Sequence, residues 1–226
     1  MGVLALAAGV AVLGVNTSQV LGGGTAYADS WEPVPTAASP ADAAAARQAC
    51  VEDETLTSGY RVERLRTRLV ERRGDLVLVV LDEGSSPVMT LTCLVDLPPG
   101  GEATFVAGGG GGGARPAADA ISDGGIYEQT TPGDELSVLD GLVGENVAAV
   151  TVHAQGGLTA QATVQDGHYA AWWPGRAMRR TTTPASPGTA NNCEGECRTT
   201  HLVPTYTLDV TLRDGTVLRD VSGQPL

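Results

Sequence analysis

Segments in which every second residue is apolar constrain the fold of this chain more than any other feature. Residues 158–165 (LTAQATVQ) and 206–212 (YTLDVTL) follow this pattern, and each is followed by an Asp-Gly dipeptide, at 166–167 and 214–215. A period of two residues is that of a β-strand with one buried face, and Asp-Gly favours tight hairpin turns. Residues 121–226 are therefore predicted to form an antiparallel β-sheet, either open or sandwich-like.

The first half of the chain predicts a short helix followed by antiparallel strands. Ser39 and Pro40 are typical of a helix N-cap and of the first helical position, so a helix is expected to begin there. The remainder of residues 39–107 alternates in polarity or is wholly apolar between Gly-containing turns, which indicates a β-meander. The expected fold class is therefore mainly β (α+β).

Three further segments are predicted to flank or connect these elements. Residues 29–38 contain two prolines and are expected to be a spacer. Residues 108–120 begin with six consecutive glycines and are expected to be a flexible linker or long loop between two halves. Residues 174–204 are rich in Thr, Pro, Asn and Gly and are expected to be a long irregular loop.

Residues 1–28 carry no charged side chain, open with an apolar run at 2–15 and end in Ala-Tyr-Ala. This order is typical of a signal peptide that is cleaved before Asp29. The alternative is an uncleaved membrane anchor, although the apolar run is shorter than the roughly 20 residues of a spanning helix. The first basic residue is Arg47, so the positive n-region is missing and the true start codon is expected upstream. The rest of the chain is expected to be extracellular or at the cell surface, touching a membrane only through residues 1–28.

The charge and composition exclude several classes of function. The formal net charge is −12, and all 14 basic residues are arginine. An acidic surface repels nucleic acid, so no nucleic-acid partner is expected. A chain without lysine forms neither a Schiff base nor a P-loop phosphate site. No nucleophile-elbow, metalloprotease or calcium-loop motif occurs, and no cofactor is predicted.

Four cysteines in an exported chain indicate two disulfides. We favour Cys50–Cys93 and Cys193–Cys197, and the other two pairings remain open. On the predicted strand Met89, Leu91 and Cys93 share a face, and Cys93 is expected to point inward toward the helix that carries Cys50. Closing that loop would stabilise the fold by roughly 3–4 kcal/mol in the chain-entropy model.

The C-terminal cysteines also belong to a second pattern, Cys193-x-x-x-Cys197-x-x-x-His201. With Glu194 or Glu196 as a fourth ligand, it contains the residue types of a zinc site. Zinc needs thiolates, whereas an oxidising compartment favours the disulfide. The disulfide is therefore the prediction, zinc is the alternative, and no metal ligand is assigned.

Two groups of side chains are candidates for binding a partner. Trp172 and Trp173 are neighbours on a predicted strand, so one is expected in the core and the other at an edge or surface, where it would suit a sugar ring or a peptide. Arg64, Arg66 and Arg68 alternate along a predicted strand and would suit a polyanion such as a wall polymer. The competing interpretation is structural, with tryptophans that pack the core and arginines that protect a solvated strand.

The pattern V-x-x-V-T-V at 147–152, followed by A-T-V at 162–164 and G-x-x-A-A-W-W-P-G at 167–175, resembles a segment of exported or membrane-anchored proteins of actinobacteria. Those proteins also carry an Arg-Gly-Asp turn and a later Thr-Cys, similar to residues 73–75 and 92–93 here. They are uncharacterised, so the resemblance implies export and a shared fold and transfers no catalytic residue.

Together these observations predict a non-enzymatic exported protein of the cell envelope, which binds an envelope protein or a cell-wall component through its β-sheet half. Two alternatives are kept. An extracellular hydrolase that uses an Asp/Glu pair would need two facing carboxylates in a deep cleft. A metal-binding domain would be centred on Cys193, Cys197 and His201.

Overall fold

The computed structural model describes residues 29–130, 134–184 and 198–221. The predicted leader, residues 1–28, lies outside the described residues. Within these ranges the chain forms two helices, α1 (Pro40–Glu52) and α2 (Glu54–Thr57), two single 3-10 turns and fourteen β-strands. The protein is mainly β, as predicted. Neither helix of the described part has the length and apolar character that crossing a bilayer demands.

The described strands form three four-stranded sheets and one two-stranded ribbon, and every pair is antiparallel. Sheet A has the order β1–β2–β3–β4, with bounds Arg66–Arg73, Leu76–Asp82, Val88–Asp96 and Thr104–Gly113. Sheet B has the order β5–β6–β10–β9, with bounds Ile121–Gln129, Leu136–Val143, His168–Pro174 and Thr163–Gln165. Sheet C has the order β14–β13–β7–β8, with bounds Val217–Val221, Thr207–Leu212, Val147–His153 and Thr159–Gln161. The ribbon pairs β11, Met178–Pro184, with β12, Arg198–Pro204.

The sheets stack face to face, and α1 covers the outer face of sheet A. One apolar cluster lies between α1 and sheet A and contains Ala46 and Val79. A second lies between sheets A and B and contains Leu78 and Trp172. A third lies between sheets B and C and contains Val150 and its neighbours. The molecule is therefore built of four layers, one helical and three of β-sheet.

The central strands of sheets A and B have no side that faces solvent. All residues of β2 and of β6 are buried, and so are the first six residues of β10. The wholly apolar run at 76–81 predicted this for β2, because a strand covered on both faces needs apolar residues at every position. Sheet B also lies between two other sheets, but its buried strands include the polar residues Ser137, Asp140 and His168.

The disulfide predicted between Cys50 and Cys93 is present, and the two Cα atoms are 5.9 Å apart. Ser39 caps α1 as predicted, with its hydroxyl accepting a hydrogen bond from the amide of Asp42. Within α1 only Ala46 and Cys50 are fully buried. Ala45, Ala49 and Val51 are partly buried against the same cluster, so the apolar contact of α1 is made of small side chains and the covalent link adds to it. A disulfide of this kind is compatible with an oxidising compartment.

The glycine run at 108–113 is not a linker, which corrects the sequence prediction. It is the second half of β4 and pairs with residues 88–93 of β3. A Cβ at position 109 would collide with the ring of Tyr127, one at 110 with the hydroxyl of Tyr60, and one at 108 with the carbonyl oxygen of Thr92. The glycines are therefore needed because neighbouring groups occupy the space of side chains on both faces of the strand. Since sheets A and B also share an apolar cluster, residues 108–120 do not separate two independent halves.

Residues 29–38 are docked on the sheets and are not a free spacer, a second correction. Thr36 forms an isolated antiparallel bridge with Arg72, and the amide of Gln161 donates to the carbonyl of Pro33. Trp31 is partly buried against the clusters on both sides of sheet B, and its indole N–H donates to the carbonyl of Trp172 at 2.9 Å. Two prolines suit an extended segment of this kind just as well as a free one.

Arg73 is completely buried and joins three parts of the chain. Its guanidinium forms a 2.8 Å ion pair with Glu71, and it donates to the carbonyls of Glu32, Pro33 and Gln161. Glu71 is equally buried and accepts a hydrogen bond from Thr163 at 2.6 Å. The pair therefore ties the N-terminal segment and the edge of sheet A to β8 and β9. A buried charge is tolerated only with such complete pairing.

We predict that Arg73→Met and Glu71→Gln each destabilise the protein by about 3–5 kcal/mol, because each leaves a buried partner unpaired. The double variant should lose less than the sum of the two, because both substitutions break the same interaction. Urea unfolding of the four proteins measures this coupling. Arg219→Gln, which breaks an exposed pair with Asp209, is the control and should cost less than about 1 kcal/mol. Additive losses for the buried pair would contradict this assignment.

Candidate functional site

Trp172 and Trp173 are both buried, at 0% and 1% exposure, so neither is a surface platform. The sequence prediction that one of them reaches an edge or surface is wrong. Trp172 faces sheet A, and Trp173 faces sheet C, where its ring centroid is 5.6 Å from that of Tyr206. The alternation of the strand was predicted correctly, but β10 lies in the middle layer, where both faces are covered. The structural interpretation of the tryptophans therefore holds.

The predicted arginine patch is not a continuous surface. Arg64 lies in a 3-10 turn before β1, and Arg66 donates to the carbonyl of Glu63. A β-bulge after Thr67 breaks the alternation, and Arg68 pairs with buried Asp82 at 2.8 Å. The other arginines of the stretch also have acidic partners: Arg61 pairs with Glu83, Arg72 with Asp42 and Arg73 with Glu71. Only Arg64 and Arg66 of this group are exposed without an ion pair among the described residues.

A group of buried polar side chains lies between sheets A and B. Asp82 of β2 binds Arg68 through one carboxylate oxygen, and its other oxygen lies 3.2 Å from Nε2 of His168 on β10. Thr90 of β3 donates toward Asp140 of β6 at 3.5 Å. Asp82, Thr90, Asp140 and His168 are all at most 2% exposed. Sequence reasoning missed this group, because its members come from strands that lie in two different sheets.

Burial governs the ionisation of this group. It lowers the pKa of His168, and the positive charges of Arg115 and Arg68 act in the same direction, while the carboxylate of Asp82 opposes them. His168 is therefore neutral near pH 7, and its Nδ1 has no hydrogen-bond partner among the described residues. Burial and the nearby carboxylate of Asp140 raise the pKa of Tyr127, which keeps that phenol protonated.

The space beside Thr90 and Asp140 is too small for a substrate. A cavity of about 10 Å³ is lined by Thr90, Ser122 and Asp140, together with glycines of β4 and β6. That volume is about what one water molecule needs. A shallow, open depression of about 430 Å³ lies beside Leu56, Tyr60 and Met89, and its lining contains no carboxylate, histidine or cysteine. Asp82 and Asp140 are thus buried carboxylates that do not line a cleft. Because a hydrolase of the predicted kind needs two carboxylates in a deep cleft, this arrangement does not favour the hydrolase alternative.

The lowered pKa of His168 predicts an acid-sensitive contribution to stability. The unfolded chain takes up this proton at its ordinary pKa near 6.5, whereas the folded protein resists protonation. Stability from this residue is therefore complete above about pH 6.5 and is lost as the pH falls toward the folded pKa. His168→Gln retains a donor for Asp82 but does not titrate. Urea unfolding between about pH 5 and 7.5 should show a steeper pH dependence for the wild type than for this variant. Equal slopes would contradict the prediction.

Residues 178–204 contain a projecting ribbon where the sequence predicted an irregular loop. The strands β11 and β12 pair over their full length, from Met178 opposite Pro204 to Pro184 opposite Arg198. The signal was present, because residues 181–183 and 199–200 are all threonine, a β-branched residue that favours strands. It was outweighed by the Pro, Asn and Gly of the connecting residues 185–197, which lie outside the described residues.

The base of the ribbon is held by hydrogen bonds, but its described strands bury no apolar core of their own. At its base, Oε1 of Glu128 accepts the amides of Ala177 and Met178, each at 2.8 Å, and the amide of Thr205 donates to the carbonyl of Ala177 at 2.7 Å. Beyond the base all described residues of both strands are exposed or half-buried, and Leu202 is 61% exposed. An isolated two-stranded ribbon is marginally stable in water, so this one lacks the packing that a third strand or a partner would supply.

The predicted Cys193–Cys197 disulfide and the alternative zinc site both fall on residues that the structure does not describe. His201 is described and lies on β12, exposed and opposite Thr181. Among the described residues no group of three or more His, Cys, Asp or Glu side chains is arranged to hold a metal ion. The other two histidines of the chain lie apart from each other. His168 is on sheet B, whereas His153 is on sheet C, where it pairs with Asp209 at the surface.

Comparison with known proteins adds no further constraint. The chain matches no protein-family model, and neither a curated protein nor a solved structure shows significant similarity to it.

Proposed function

We propose that this is an exported protein of the cell envelope that acts by binding, and that the ribbon β11–β12 is the surface that contacts its partner, an envelope protein or a cell-wall component. The observation that carries the proposal is the ribbon itself, which projects from a fully packed body and has no apolar cluster of its own in the described part of the chain. Such an element is costly to keep ordered unless something binds it.

Two further observations support the proposal. The Cys50–Cys93 disulfide is compatible with the oxidising space outside the cytoplasm. Asp82, Asp140 and His168 are buried between sheets A and B, and the cavity that Asp140 lines is only about 10 Å³, so these groups have no access to a substrate. A chain that buries these acid–base groups and exposes a long ribbon is better suited to binding than to hydrolysis.

Excision of the ribbon tests where the partner binds. Ala177 and Thr205 are hydrogen-bonded at the base, so residues 178–204 can be replaced by an Asn-Gly turn without disturbing the body. The wild type should co-sediment with purified cell walls of the source organism, and the excised variant should stay in the supernatant. Both proteins should unfold at similar urea concentrations, because the ribbon contributes to none of the three clusters beyond the partly buried Met178. Equal sedimentation of the two proteins would refute the ribbon as the contact surface.

The intact mass of the protein recovered from its host tests export separately. We expect a chain that begins at Asp29, with no thiol available for alkylation. A chain that retains residues 1–28 in the membrane fraction would indicate the anchored alternative, which also lies outside the cytoplasm. Recovery from the cytoplasm with reduced Cys50 and Cys93 would contradict export.

A further inference from the structure

The charge of the ribbon is opposite to that of the protein that carries it. Its two strands contain three arginines and one histidine and no acidic residue, whereas the whole chain has a net charge of −12. The connecting residues 185–197 carry two glutamates, which moderate this positive charge and do not remove it. Within the described residues, Arg179 and Arg180 are exposed and form no ion pair, unlike most arginines of β1 and the turn before it. They are therefore free to bind an external anion.

The ribbon presents these charges on both of its faces. Arg179 and Arg180 are consecutive, so their side chains point to opposite sides. Arg180 lies opposite Leu202 in the register and shares its face with Thr182, Thr200 and Arg198. Arg198 lies opposite Pro184, which is four positions along β11 from Arg180. At about 3.3 Å per residue, Arg180 and Arg198 are therefore separated by roughly 13 Å along the ribbon. The other face carries Arg179 and His201 with a further set of threonines. Each face thus combines an arginine with hydroxyl donors along a line.

From this arrangement we propose that the ribbon binds a linear, phosphate-bearing polymer of the cell wall, an inference that rests on the proposed function. Guanidinium groups match phosphate oxygens bidentately, and threonine hydroxyls add neutral donors between them. A flexible chain can wrap both faces, whereas a flat bilayer meets only one. The ribbon also lacks the apolar face of a membrane-bound element, since Leu202 is its one strongly exposed large apolar residue in the described strands.

Long-chain inorganic polyphosphate is the probe for this proposal, used with the full mature chain. The double variant Arg179→Gln/Arg180→Gln should bind it about tenfold more weakly than the wild type, because two charge-assisted contacts are lost. The matched control is Arg213→Gln/Arg219→Gln, which removes the same charge from sheet C and the turn beside it and should change binding less than about twofold. The slope of log K against log salt should fall by about two in the ribbon variant only.

The outcomes separate this inference from the proposed function. Equal weakening by both double variants would mean that only the net charge matters and would overturn the ribbon as a polyanion site. Stronger binding of the wild type to duplex DNA or to vesicles of anionic lipid than to polyphosphate would also overturn it. If the arginine variant binds cell walls as well as the wild type while excision abolishes sedimentation, the ribbon is the contact surface but its partner is not a polyanion. If excision has no effect on sedimentation, the proposed function itself fails.

Discussion

The buried ion pair of Arg73 and Glu71 is the interaction on which the arrangement of the sheets depends. Arg73 lies in the last position of an edge strand, where a charged side chain normally faces water. Here its donors are distributed over the carboxylate of Glu71 and three carbonyls, two of which belong to residues 29–38. The arginine of the Arg-Gly-Asp turn at 73–75 is therefore withdrawn from solvent and connects parts of the chain inside the protein. Because Gly74 lies directly against Ser30, the same turn also fixes the start of the described chain.

The layered architecture explains where a binding surface can and cannot be. Sheet B is covered on both faces, so its tryptophans, its histidine and Asp140 are all withdrawn from solvent. The outer face of sheet A is covered by α1, and its glycine strand is filled by two tyrosine rings. The outer face of sheet C and the ribbon remain exposed. The first carries local pairs such as His153 with Asp209. Apart from Arg64 and Arg66 beside β1, the exposed arginines without an ion pair that concern a binding surface are Arg179 and Arg180 of the ribbon, among the described residues.

The sequence was informative where a single segment decides its own structure. The capped helix, the apolar strand at 76–81, the two Asp-Gly hairpins and the Cys50–Cys93 disulfide all follow from local pattern, and all are present. It was misleading where the deciding group is distant in the chain. The six glycines at 108–113 have the composition of a linker, but they pair with β3, and distant groups such as Tyr60 and Tyr127 occupy the space that side chains would need. Within the predicted sheet of residues 121–226, β6 was not recognised as a separate strand, because a strand buried on both faces does not alternate, and this one is interrupted by Ser137 and Asp140.

The strand order of sheet B has a consequence for the assembly of the molecule. β6 pairs with β10, but the chain leaves sheet B after β6 and forms β7 and β8 of sheet C before it returns. Until residues 168–174 are available, β6 is an open edge with apolar side chains on both faces, which is the type of edge that pairs with other chains. Sheet C is likewise incomplete until β13 closes beside β7 near the C-terminus. The pairing of sheets B and C is thus postponed, whereas the four consecutive strands of sheet A can pair once residues 66–113 are present. Sheet A can therefore form during synthesis before the layers that stack against it.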